Sequence, residues 1–205
     1  MYTAIGYAAQ SATTPLAPVK FERRSPRADD VAIDILYCGV CHSDIHQARN
    51  EWGIAVYPLM PGHEIVGKVT AVGANVTQHK VGDLVGVGCM VDSCRSCEAC
   101  QSNLEQYCLE GPTMTYATPD RVDGSNTMGG YSDSIVVSEH FVVRIPEKLD
   151  PASAAPIKWL ALEKGSSSGI KCIGADFGGF SPLGARIRMR TSIRQWSASP
   201  HGRQR

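Results

Sequence analysis

Four cysteines inside fifteen residues constrain this chain more than anything else in it: Cys94, Cys97, Cys100 and Cys108 are spaced C-x2-C-x2-C-x7-C. Ser, Glu, Gln and Asn stand between them, so the segment cannot fill an ordinary apolar core. Two-residue gaps let neighbouring thiolates converge from one tight turn. The longer gap lets Cys108 return and close the fourth corner of a tetrahedron. Four thiolates closing on Zn2+ at about 2.3 Å make a structural zinc site. Two disulfides, or free thiols on a loop, are the other reading. The first ten residues, MYTAIGYAAQ, carry neither a basic n-region nor an apolar h-region, so the expected address is the cytoplasm. In that setting dense, short-spaced cysteines read as metal ligands before disulfides.

Around this lobe the chain reads as mainly β. YTAIGYAA, VAIDILYCGV, HEIVGKVTAVG, DLVGVGCMV and SDSIVVSEHFVVRIP are rich in Val, Ile and Tyr and broken by Gly and Pro, which suits a β-barrel or sandwich. In VAIDILY the alternation puts Val31, Ile33, Ile35 and Tyr37 on one face. A short helix is expected over Ser43–Arg49, because Ser43 and Asp44 suit a helix start. Turns are expected at Pro58–Gly62, Gly73–Asn75, Val81–Asp83 and Gly124–Gly130. With 205 residues, 43% of them apolar, the chain holds one domain or slightly more, and no apolar run approaches the roughly eighteen residues of a spanning helix.

A second concentration of chemistry lies upstream of the lobe. CHSDIH, from Cys41 to His46, packs a thiol, two imidazoles, a hydroxyl and a carboxylate into six residues. About twenty residues later come Gly62, His63 and Glu64, opening G-H-E-x2-G-x5-G-x2-V. A lone His is usually a satisfied core residue. Here a soft thiolate and an imidazole could bind an ion, a carboxylate orient the imidazole, and a hydroxyl handle a proton, which is what a catalytic metal site needs.

The order CGVCHSDIH, PGHEIVGKVTAVG, the four-cysteine lobe and GGYSD…RIPEKLDPASAAP resembles the zinc-dependent medium-chain alcohol dehydrogenases, within them the cinnamyl alcohol dehydrogenase type. The resemblance covers residues 1–156. It implies a GroES-like, partly open β-barrel with a zinc-binding cysteine lobe, and NADP-dependent interconversion of primary, aromatic or cinnamyl alcohols and aldehydes. By the same resemblance Cys41 and His63 are ligands of a catalytic zinc, and Glu64 is the nearby carboxylate that ligates transiently. Asp44 orients His63, Ser43 takes the alcohol proton, and His46 passes it towards solvent. His42 faces the cofactor pyrophosphate. The implied cofactors are Zn2+ and NADP(H), the implied partner a small alcohol or aldehyde, and the implied assembly a homodimer. Trp52, Tyr57 and Met90 are candidates for an apolar substrate pocket, against the plainer reading that they pack. Cys38 stands too close behind Cys41 on one strand to join it, and Cys89 reads as a core thiol.

After Pro156 the resemblance ends. The family places a second cysteine ligand three residues past this proline, where this chain has Trp159. Cys172 lies thirteen residues further on. Nor does a G-x-G-x-x-G turn follow; GADFGGF, from Gly174 to Phe180, lacks the spacing, so no Rossmann domain is expected. Charge changes at the same place: residues 1–150 carry net −7 and residues 151–205 net +7, with six arginines in the last twenty positions. The equal totals argue against a general nucleic-acid or anionic-membrane binder, and arginines alone supply only non-specific affinity. Residues 157–205 are therefore expected to be a basic, disordered or frame-shifted tail, and the chain as it stands to lack turnover. A non-catalytic zinc-binding module, structural or regulatory, is the alternative function.

Overall fold

The protein is described by a computed structural model that covers residues 1–155 and 186–188. Its first two strands, β1 (Tyr2–Ala8) and β2 (Ala17–Arg23), form an antiparallel hairpin in full register from Tyr2↔Arg23 to Ala8↔Ala17. β3 (Asp30–Gly39) is the spine of a six-stranded antiparallel sheet. On one side it pairs with β4 (Glu64–Val72), then β5 (Leu84–Val87), then β9 (Val142–Arg144). Its other edge is shared: β8 (Ser134–Ser138) covers Asp30–Asp34, and β10 (Arg186–Arg188) covers Tyr37–Gly39. A small ribbon of β6 (Met90–Asp92) and β7 (Thr113–Met114) leads into and out of the cysteine lobe. Among the described residues there are three short α-helices, α1 (His42–Ala48), α2 (Glu98–Gln101) and α3 (Pro151–Ala154). This is the partly open β-barrel that the sequence leads one to expect. Among the described residues no helix is long and apolar enough to cross a membrane.

The sheet separates two apolar clusters. Val31, Ile33, Ile35, Ile65, Val69, Val85, Val87, Val137 and Val142 fill the larger one and are almost wholly buried. Each such side chain stabilises the fold by about 1.5–3 kcal/mol relative to an exposed one. The smaller cluster joins Val66 to Ile145, Ala154 and Ala155, with Tyr37, Leu84 and Leu149 packed around it. Here α3 covers the sheet, its start capped by Asp150, which accepts from the Ser153 backbone N–H at 2.9 Å.

Several expectations need correction. Val31, Ile33 and Ile35 share the main core, but Tyr37 belongs to the smaller cluster and Cys38 turns inward instead. The cause is a β-bulge: Ile35 lies opposite Gly67 and Tyr37 opposite Val66, so Leu36 is an extra residue that exchanges the faces. DLVGVGCMV is two strands, β5 and β6, in different sheets. SDSIVVSEHFVVRIP is also two, β8 and β9, with a 3-10 turn at Glu139–Phe141 between them. β2 was not expected at all, and Arg186–Arg188 forms a strand in a stretch that shows no strand periodicity. The rest of the expected tail, with Trp159 and Cys172, lies outside the described residues.

Candidate metal centres

The cysteine lobe grows from the end of β6. Cys97 sits at the start of α2, Cys100 within it, and Cys108 follows a 3-10 turn over Glu105–Tyr107. The four sulfurs lie within 4.8 Å of one another. Cys94 and Cys100 are 3.8 Å apart at sulfur, against about 2.05 Å for a disulfide, and all seven described cysteines are free. Backbone N–H groups point at the sulfurs: Cys97 donates to Cys94 at 3.3 Å and Leu109 to Cys97 at 3.5 Å. The first of these hydrogen bonds pulls the Cys94 thiol down to about 6, and the Cys100 N–H lowers Cys97. Burial pushes Cys100 up to about 11. Four converging soft donors, two already drawn towards thiolate, fit a closed zinc site. His140 Nε2, 2.5 Å from Glu105 Oε1, ties the lobe to the barrel.

The second centre forms where β3 ends and β4 begins. Cys41 caps the start of α1, Glu64 opens β4 and His63 stands just before it, so the ends of neighbouring strands bring the three together. Their ligand atoms lie within 4.8 Å of one another. Glu64 lies against Gly39, where a Cβ would stand 2.0 Å from its Oε2, so a larger residue there would push the Glu64 carboxylate out of its place. Gly62 adopts φ +103, a conformation that other residues rarely reach. Burial opposes charge on the Cys41 thiol, yet hydrogen bonds from His63 and Ser43 hold it below its ordinary value. Burial likewise opposes charge on His63, but Asp44 and then Cys41 hold it up at about 10. A thiolate, an imidazole and a carboxylate facing one point fit a zinc ion, which would displace the imidazole proton.

Asp44 is the hub of this centre and only 2% exposed. Its Oδ1 accepts from Gly62 N at 3.0 Å and lies 3.1 Å from His63 Nδ1. Its Oδ2 accepts from Cys41 N at 3.0 Å and from Tyr131 Oη at 3.1 Å. Burial alone would favour the neutral acid; the His63 hydrogen bond and charge, with the two backbone donors, keep its pKa below the ordinary carboxylate value. Asp44 can therefore fix the His63 tautomer.

Ser43 donates to Cys41 Sγ at 3.1 Å. His46, half-buried on the next turn, binds Glu51 through Nδ1, and Trp52 stacks on its ring at 5.3 Å. His42 is exposed, with its ring 4.6 Å from that of His46. Thus Cys41, Ser43, Asp44, His63 and Glu64 meet, while His46 and His42 lead away along α1. Trp52 is 51% exposed beside this helix. Tyr57 donates to Ala48 O at 2.8 Å, and Met90 is buried in the main core, so both pack. Cys38 lies in the same core, and half-buried Cys89 packs against it. The sequence reading missed Glu51, Tyr131 and Tyr116. The Tyr116 ring lies 5.8 Å from that of His63, and burial, then the Asp44 charge, raises its pKa.

The alcohol dehydrogenase GroES-like domain family matches residues 27–147. "Alcohol dehydrogenase 9" of Catharanthus roseus is 54% identical over 152 residues, covering 74% of this chain and 42% of that protein. "NADP-dependent alcohol dehydrogenase C" of Mycobacterium bovis is 54% identical over 157 residues, covering 77% and 45%. The crystallised cinnamyl alcohol dehydrogenase of Sorghum bicolor superposes with a TM-score of 0.74 at 49% identity, over 77% of this chain and 44% of that one. The chain thus spans less than half the length of these relatives.

Proposed function

The chain belongs to the alcohol dehydrogenase family built on a GroES-like domain, and from that premise we propose that it supplies the metal-binding and proton-handling part of a zinc-dependent alcohol dehydrogenase. The reaction proposed is NADP-dependent interconversion of primary alcohols and aldehydes, aromatic or cinnamyl in type. Two relatives support it by name, one as NADP-dependent and one as a cinnamyl alcohol dehydrogenase. The observation that carries the proposal is the convergence of Cys41, His63 and Glu64 above the Asp44 hub.

In this reading Cys41 and His63 hold the catalytic zinc with Glu64 beside it, and Cys94, Cys97, Cys100 and Cys108 hold a structural one. Zinc at the first site supplies a Lewis acid for the alcohol or aldehyde oxygen. Hydride transfer lies beyond any side chain here and would be the chemistry that a bound nicotinamide contributes. Asp44 keeps the His63 Nδ1 proton in place, leaving Nε2 to ligate. Ser43 turns its hydroxyl from Cys41 to take the alcohol proton. His46 carries that proton outward, and Glu51 holds the His46 ring for the transfer. His42, exposed at the start of α1, would be the residue that meets the cofactor pyrophosphate.

Metal content tests this. Because Trp159 occupies the position of the family's second cysteine ligand, the 205-residue chain is expected to keep one zinc through exhaustive dialysis and to bind a second more weakly. His63→Ala abolishes the second and spares the first, whereas Cys94→Ser removes the first. Uptake of a single ion by the unaltered chain, measured by atomic emission and cobalt titration, contradicts the proposal.

A further inference from the structure

We propose that Tyr131 is a positioning residue for the Cys41–His63–Glu64 centre, acting through Asp44. This rests on the reading of that centre as a metal site. A carboxylate offers about four lone-pair positions, and Cys41 N, Gly62 N, His63 Nδ1 and Tyr131 Oη lie closest to Asp44, with the Tyr116 hydroxyl also interacting with it. Cys41 N, Gly62 N and His63 Nδ1 belong to the segments that carry the ligands, so they move with those segments. Tyr131 Oη comes from 87 residues away in the chain and at 3.1 Å is the closest donor to Asp44 from outside those segments.

Tyr131 is well held for this task. Its backbone N–H donates to Pro61 O at 3.0 Å, and its carbonyl accepts from Tyr7 N at 2.8 Å, which clamps it between the ligand turn and β1. Its ring is 3% exposed in the main core. A Cβ on Gly62 would lie 2.6 Å from Tyr131 Cδ1, so ring and turn are in close contact. Without the hydroxyl, Oδ2 loses one of its two closest donors. The carboxylate torsion is intrinsically broad, so Asp44 would hold His63 in a wider range of orientations. Partners one step behind a metal ligand typically matter by 10–100-fold in metal affinity. One step further back, the lower end is expected.

The test is a cobalt titration of the full 205-residue chain with zinc already in the cysteine lobe. The cobalt absorption bands report the second site. Tyr131→Phe, which keeps the ring, should weaken second-site binding by about ten-fold and broaden the His63 imidazole signals in the NMR spectrum, with the lobe unchanged. Asp44→Ala should weaken binding further, and adding Tyr131→Phe to it should change nothing more, as for two residues on one path. Asp30→Asn, which loosens Arg24 and Arg27 far from the centre, should lower the melting temperature and leave cobalt affinity intact. Equal affinity and equal His63 signals in Tyr131→Phe and the unaltered chain overturn the proposal alone, as do fully additive losses in the double variant. Failure of the unaltered chain to bind a second ion overturns the metal-site reading and this proposal together.

Discussion

Asp120 shows what one carboxylate does in this chain. Arg27 reaches it at 2.9 and 3.4 Å, and the Val122 N–H donates to the same group at 2.8 Å. Burial favours the neutral acid, but the Arg27 hydrogen bond and charge outweigh it and hold the pKa below the ordinary value. Because the folded value lies below the unfolded one, the stabilisation is complete above about pH 4 and is lost as pH falls through the folded value. Asp120→Asn should therefore cost about 1–2 kcal/mol near neutrality and almost nothing in strong acid. Urea unfolding at several pH values checks this; an equal loss at every pH would contradict it. Sequence alone exposes such residues unevenly. Cys41, His63 and Glu64 are legible because their chemistry is dense and local. Glu51 is not: it lies five residues past His46 and beyond the end of α1, so no helical spacing joins them. Tyr131 meets Asp44 only through the fold.

At the scale of elements, the cysteine spacing is legible because it depends on chain geometry within fifteen residues. Its four sulfurs meet through one four-residue helix and one 3-10 turn. The Cys97 sulfur is a ligand candidate and accepts from the Leu109 N–H, so Cys97→Ser removes a thiolate donor and alters that acceptor, while the hydrogen bond from the Cys97 backbone N–H to Cys94 stays. The substitution should abolish the firm zinc binding proposed for the lobe and lower the melting temperature, whereas Cys172→Ser should do neither. Equal zinc retention and equal melting in both variants would count against the lobe as a metal site. The strands were legible where β-branched residues alternate, and hidden where other rules intervene. β2 carries Pro18, Lys20, Glu22 and Arg23, a composition that reads as loop. It becomes a strand because Val19 and Phe21 pack on the main core and β1 supplies every pairing partner. The bulge at Leu36 was hidden for a different reason: it is fixed by the register of β4 against β3, which no single strand reveals.

The two centres stand in opposite relation to the molecule as a whole. The lobe gathers its donors from one short stretch and hangs on the β6–β7 ribbon, with Glu105 and His140 as its tie to the barrel. The other centre takes its donors from the end of the longest strand pair, β3 with β4, whose side chains fill much of the main core. Stripping zinc with a chelator should therefore loosen the lobe and spare the sheet. Hydrogen exchange should then quicken at amides from Cys97 to Leu109, while Ile33, Ile35 and Val66 keep their protection. Loss of protection in β3 and β4 at the same chelator concentration would show that lobe and barrel unfold as one unit. The converse holds for the Cys41–His63–Glu64 centre. It should persist only while β3 and β4 stay paired, so urea should release its ion in step with the sheet, before or after the lobe has opened. A metal bound there reports on the barrel, and a metal in the lobe reports on the lobe.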